Sequence, residues 1–252
     1  MDLFGEHKER IITGVALVVA LLIIGIIDNF FVMWAVFGAI YLLAFKEALK
    51  LFEIEQNNTL LVAASILWLI AGVYPYGDDL FVLAGVAYAS AVAYDRDISW
   101  KNFLPFIYPT AGMLFIFTMY QEYGVTSLLW LLITVAMTDV GAYAVGKSIG
   151  KTQFSPTSPN KTMEGVVGGI AVATFSGMFM GLTIVDLDIA FLISFGVAVS
   201  SIFGDLFESS LKRSAGVKDS GNLLPGHGGV LDRIDGYLFG AIVMLVLLRG
   251  LV

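Results

Sequence analysis

The residues best equipped for chemistry lie in one stretch near the C-terminus, GDLFESSLKRSAGVKDSGNLLPGHGGVLDRID, residues 204–235. Asp205 and Glu208 stand at i, i+3, and Ser209 and Lys212 continue the same helical face. That helix end presents two carboxylates and a cation together. Segment 216–229 holds too many Gly and Pro residues for a regular helix and closes on Pro225-Gly226-His227-Gly228-Gly229. Glycines around a single His imply tight backbone near a ligand. Asp232 and Asp235 are again spaced i, i+3, with Arg233 between them, where the last apolar run begins. Together with Lys212, Arg213 and Lys218, this is more charge than a solvated loop needs beside two apolar runs. Hard oxygen donors, no cysteine and little histidine favour Mg2+ or Mn2+ over zinc. Carboxylate-held divalent metal with Lys and Arg is the usual equipment of phosphoryl or nucleotidyl transfer.

A second constellation is TDVGAYAVGKSIGKTQFSPTSPNKTMEGVVGG, residues 138–169. Asp139 lies deep in an apolar run, where a carboxylate is costly and is either functional or bonded to a neighbouring Ser or Thr. Tyr143 follows one turn later on the same face. The stretch GKSIGKT invites a phosphate-loop reading and fails it. Gly146 and Gly150 have three residues between them rather than four, and no strand precedes them. What remains is Gly beside Lys147 and Lys151, a pattern that suits phosphate binding and equally suits a solvated loop. Lys161, between two prolines and a helix start, is the stronger candidate. Gly165 and Gly169 form a small-residue motif whose first meaning is close helix packing.

These segments hang on elements that are overwhelmingly apolar. Of 252 residues, 58% are hydrophobic and 14% charged, and the mean hydropathy is +0.86. A soluble domain of this length needs far more surface charge. The apolar runs, roughly 11–27, 30–45, 59–74, 79–94, 103–120, 125–146, 165–185, 189–208 and 236–251, predict an all-α polytopic membrane protein of about nine spans. No ten-residue alternation repeats, which excludes a barrel. Alternate connections carry Lys8 and Arg10; Lys46 and Lys50; Arg96 and Lys101; Lys147, Lys151 and Lys161; and Lys212, Arg213, Lys218 and Arg233. That is thirteen of the 14 basic residues on one face, with Arg249 on the other. The positive-inside rule then predicts a cytoplasmic N-terminus and an outside C-terminus. The chain reads as one membrane domain, with N-terminal spans over 1–122 and C-terminal catalytic spans over 123–252. Cytoplasmic loops at 147–164 and 209–235 would carry the chemistry.

The run SLKRSAGVKDSGNLLPGHGGVLDRID, Ser210 to Asp235, resembles the C-terminal signature of the phosphatidate cytidylyltransferases, or CDP-diacylglycerol synthases, along its whole length. The upstream DVGAY, GK, GK and SPNKTMEG segments are similar to that family's other characteristic region. The resemblance implies that CTP and phosphatidate give CDP-diacylglycerol and pyrophosphate. It implies Mg2+ or Mn2+, with a second cation allowed, and a homodimer in the inner membrane whose active site faces the cytoplasm. Carried onto this chain, it makes Asp205 and Asp232 metal ligands, with Glu208 joining them. Asp139 and Asp235 become further ligands or their supports. Lys161, Lys212, Arg213 and Lys218 would hold phosphates, and His227 would donate to a phosphate oxygen or orient a carboxylate. Tyr143, Lys147, Lys151 and Arg233 complete the substrate-binding set. The expected partners are the two substrates and membrane lipids, and no nucleic acid.

Two other readings are weighed against it. Another CTP-using lipid enzyme, such as a polyprenol or dolichol kinase or an archaeal CDP-lipid synthase, shares acidic pairs and basic loops near membrane helices. A transporter would need discontinuous helices and inverted repeats, and the two halves show no such correspondence.

Overall fold

A computed structural model of the chain describes residues 3–55 and 58–252. The side chains of Lys8 and Arg10, both assigned above to the basic face, lie outside the described residues. The helices run in the order α1 (Leu3–Ile27), α2 (Phe30–Leu51), α3 (Asn58–Ala71), α4 (Asp79–Tyr94), α5 (Ala111–Ile149), α6 (Met163–Gly181), α7 (Leu187–Ser214) and α8 (Leu231–Leu251). Among the described residues, five helical stretches are long and apolar enough to cross a membrane: Phe30–Leu51, Trp100–Ile149, Met163–Gly181, Leu187–Ser214 and Leu231–Leu251. The apolar helices α3 and α4 are shorter, at 14 and 16 residues. At 1.5 Å per residue they extend about 21 and 24 Å, less than a bilayer core of roughly 30 Å.

The chain folds as two compact units. The first comprises residues 1–117 with Ser214–Ile234, and the second Thr118–Arg213 with Asp235–Val252. Most of the 209–235 segment belongs to the first unit.

In the first unit, Asn29 caps α2 by accepting from the N–H groups of Phe31 and Val32. One face of α2 (Met33, Tyr41, Ala44, Phe45, Ala48) is buried. Helices α2 and α3 are pinned by a reciprocal pair: the Trp34 indole donates to the Trp68 carbonyl at 3.1 Å and the Trp68 indole to the Trp34 carbonyl at 3.0 Å. Gly38 leaves room for the Trp68 ring and Gly72 for that of Trp34.

In the second unit, α5 turns at Gly124, whose φ of +70° is easy only for glycine. The turn separates the expected spans 103–120 and 125–146, and Ser127 closes it by donating to the Gly124 carbonyl at 2.7 Å. Helix α6 lies directly on the second leg of α5. A Cβ at Gly165 would sit 2.7 Å from the Ala142 carbonyl oxygen, and one at Gly169 the same distance from that of Thr138. The glycine motif is a packing motif, as its spacing implied. The segment after α5, read above as an open loop, contains a small antiparallel hairpin of β1 (Gln153–Ser155) and β2 (Ser158–Thr162). Three and five residues are too few for alternation to be visible in sequence.

Candidate active site

In the second unit the hairpin brings a cation to a carboxylate. Thr162 ends β2 and caps α6, its hydroxyl accepting from Gly165 N–H at 3.1 Å. Glu164, in the first turn of α6, reaches back to accept from the backbone of Lys151 and Thr152 and from the Thr152 hydroxyl. Both ends of the hairpin are thus fixed to one helix start. Lys161 of β2 forms an ion pair with Asp205 of α7, and Ser209 donates to Asp205 at 3.2 Å one turn on.

Further along α7, Glu208 is fully buried and faces the Lys212 ammonium at 3.5 Å. Asp235, at the start of the α8 portion in this unit, lies beside Glu208 and within electrostatic reach of Asp205 and Asp139. It accepts from the Gly236 N–H at 2.8 Å. Gly204 makes this approach feasible: a Cβ there would lie 2.6 Å from the Asp235 carbonyl oxygen. Four carboxylates expected from sequence, Asp139, Asp205, Glu208 and Asp235, therefore belong to one neighbourhood with Lys161 and Lys212. Lys212, expected on the same helical face as Glu208, pairs with that buried carboxylate at i, i+4. Tyr143 and Lys147 pair with each other on α5, the ammonium donating to the phenol at 3.3 Å. Gly146 and Gly150 pack against Thr162. Their backbone closes the α5 end onto the hairpin. Lys151 and Arg213 are exposed.

In the first unit the glycine-rich signature loop is built around two carboxylates. The Asp232 Oδ2 atom accepts from Ser220 N–H and Gly229 N–H, both at 2.8 Å, and from the Ser220 hydroxyl at 2.9 Å. Glu47 of α2, only 7% exposed, accepts from Val230 N–H at 3.0 Å, Leu231 N–H at 2.8 Å and the Ser220 hydroxyl at 3.0 Å. A Cβ at Gly221 or Gly229 would come within 2.4–2.5 Å of side-chain oxygens of Glu47 or Ser220, and one at Gly228 within 2.6 Å of Asp232. The tight backbone expected near a ligand is tight because it closes on these acidic side chains. His227 sits in the turn, its Nδ1 at 3.4 Å from the Pro225 carbonyl oxygen, and Arg233 donates to the His227 carbonyl at 3.0 Å. Arg233 is thus occupied in holding the turn. Lys218 lines a cleft of about 490 Å3 with Lys50, Asp219, Ser220 and Asn222.

Glu47 and Lys50 were missed from sequence. Both lie where α2 ends; Lys50 counts in the sequence only as an inside-positive charge, and Glu47 stands between Lys46 and Ala48 just beyond the apolar run 30–45.

Among the described residues, no three His, Asp or Glu side chains are spaced as ligands of one metal ion. The donor chemistry still fits a hard divalent cation. Mg2+ characteristically takes one or two protein carboxylates and completes its shell with substrate phosphates and water.

The model of the cytidylyltransferase family matches residues 8–251. The chain is 43% identical to the phosphatidate cytidylyltransferase of Helicobacter pylori strain J99, over 98% of this chain and 93% of that protein. It is 32% identical to the phosphatidate cytidylyltransferase of Bacillus subtilis strain 168, over 93% and 94% respectively. With the enzyme of that name from Thermotoga maritima it shares 37% identity over 68% of each chain.

Proposed function

This chain belongs to the cytidylyltransferase family, and on that premise we propose that it transfers the cytidylyl group of CTP to phosphatidate, forming CDP-diacylglycerol and pyrophosphate. The observation that carries the reading is near full-length similarity to proteins named for this reaction. The arrangement of carboxylates and cations supports it. A phosphate monoester is largely ionised near neutral pH, so the nucleophile needs no strong general base. One of its oxygens bonds to the α-phosphorus of CTP as the bond from that phosphorus to the bridging oxygen breaks, and pyrophosphate departs. The obstacle is bringing two anions together and stabilising charge on the leaving group.

Asp205 and Asp232 are each assigned to a divalent cation, with Glu208, Asp139 and Asp235 as supporting acids. The bound cation would neutralise phosphate charge and stabilise the leaving pyrophosphate. Lys161, paired with Asp205 here, would be free to offer its charge to a phosphate oxygen were that carboxylate to hold the cation. Lys218 and Lys50 offer charge to the nucleotide phosphates from the walls of their cleft, and Arg213 offers a planar fork. Lys212 keeps the buried Glu208 neutralised. His227 and Arg233 hold the signature turn in shape.

The wider reading is a nine-span protein with a cytoplasmic N-terminus, an outside C-terminus and an active site on the cytoplasmic leaflet, working as a homodimer. The basic asymmetry supports the orientation, and the turn at Gly124 supports counting α5 as two spans. The test is pyrophosphate release by purified protein in mixed micelles given CTP, Mg2+ and, separately, phosphatidate, a polyprenol or dolichol. Release with phosphatidate alone is expected. Phosphorylated polyprenol and no CDP-lipid would overturn the assignment.

A further inference from the structure

We propose that Glu47, outside both sequence constellations, is a positioning residue that sets Asp232 through the hydroxyl of Ser220. The inference rests on the reading of Asp232 as a working acid of the transfer reaction.

Ser220 stands between two carboxylates, 3.0 Å from Glu47 Oε2 and 2.9 Å from Asp232 Oδ2. Its hydroxyl has one proton to donate. It therefore serves one carboxylate fully only at the expense of the other, while its oxygen also accepts from Asp232 N–H at 3.3 Å. Glu47 binds from the opposite side. Two of its three bonds go to Val230 and Leu231 N–H, at the first turn of the helix that carries Asp232. Those N–H groups have no intrahelical acceptor, and a carboxylate at a helix start is favoured by the dipole as well. Glu47 thereby fixes both the backbone under Asp232 and the hydroxyl beside it.

The burial of Glu47 explains why this carboxylate must be satisfied so fully. A buried charge lacking donors is strongly disfavoured, and here the donors all come from the signature loop. Folding the loop and solvating Glu47 are one event. A cation held by Asp232 would make its oxygens poorer acceptors, and the Ser220 hydroxyl would then donate to Glu47 alone. Without Glu47 the Ser220 hydroxyl and the backbone under Asp232 would lose their anchor, and Asp232 would present its oxygens to the cation less well.

Three variants in detergent test this: Glu47→Gln, Ser220→Ala and, as a control on the exposed side of α2, Lys46→Ala. The readouts are kcat at saturating CTP, the half-saturating Mg2+ concentration, and Mn2+ binding without substrates by electron paramagnetic resonance. Glu47→Gln is expected to lower kcat at least tenfold and to weaken Mn2+ binding at least fivefold. Ser220→Ala leaves the bonds of Glu47 to Val230 and Leu231 in place. It is expected to fold normally and still to change kcat and Mn2+ binding in the same direction. A double variant should lose less than the product of the two single losses, because both act through one hydroxyl. If Glu47→Gln only lowers the thermal midpoint while folded protein keeps wild-type kcat and Mn2+ affinity, Glu47 is structural and the proposal fails. Wild-type behaviour of Ser220→Ala would equally remove the relay. Should the wild-type protein itself make no CDP-lipid in this assay, the fault would lie with the functional reading instead.

Discussion

At the scale of single residues, Asp205 and Asp232 are tied to different partners, which gives them different expected sensitivities. Asp205→Asn removes the charge that holds Lys161, whereas Asp232→Asn puts an amide where one carboxylate oxygen, Oδ2, accepts from three donors. Both changes are expected to abolish turnover with the protein still folded, and raised Mg2+ should restore part of the activity. Near-normal rates at limiting Mg2+ would remove that residue from the cation's ligands. Lys161→Ala and Arg213→Ala should each lower kcat/KM at least tenfold, about 1.4 kcal/mol of transition-state stabilisation. Arg213→Lys should stay impaired, because a point charge does not reproduce the guanidinium fork. Lys46→Ala and Lys101→Ala should change kcat/KM less than about threefold; Lys101 is exposed and pairs with Glu53. Lys50 looks identical to these two in the sequence, since charge near a span end is all the positive-inside rule sees. Its place in the Lys218 cleft makes a higher KM for CTP the expected result of Lys50→Ala.

At the scale of elements, the apolar runs marked nearly every helix, because a long hydrophobic stretch has one way to satisfy its backbone in lipid. The expected loop boundary at 209 falls inside α7, and Ser209 and Lys212, whose spacing continues the face of Glu208, lie in its last turns, where Lys212 faces Glu208 one turn back. The 153–162 hairpin was hidden for the opposite reason: its ends are held by Glu164, beyond the strands, and by the cap that Thr162 makes at the end of β2, not by a pattern within them. Gly165 and Gly169 show which glycines were readable, since their spacing alone implied packing. Gly169→Val is expected to destabilise the protein by about 1–3 kcal/mol, as the new Cβ would meet backbone, the Thr138 carbonyl, which cannot swing away. Thermal unfolding in detergent measures this, and an unchanged midpoint would mean that α6 does not lie on α5 as described.

At the scale of the whole molecule, the sequence shows which acids and bases are present but not how they are held. Chemistry-bearing residues announce themselves by type, whereas a partner as distant as Glu47 is brought to the signature loop only by folding. Orientation in the membrane is tested by a reporter placed after Val252, expected outside, and one inserted near Ser158, expected in the cytosol. Both on one side would mean a span count wrong by one. Following the phosphorus atoms of CTP shows directly whether the cytidylyl group passes to phosphatidate. Purified protein, Mg2+ and phosphatidate are incubated with CTP labelled either at the α- or at the γ-phosphorus, and the lipid is extracted. The α-label is predicted to enter the lipid as CDP-diacylglycerol while the γ-label leaves as pyrophosphate. Recovery of the γ-label in lipid, with the α-label remaining in CDP, would identify a kinase and contradict the account.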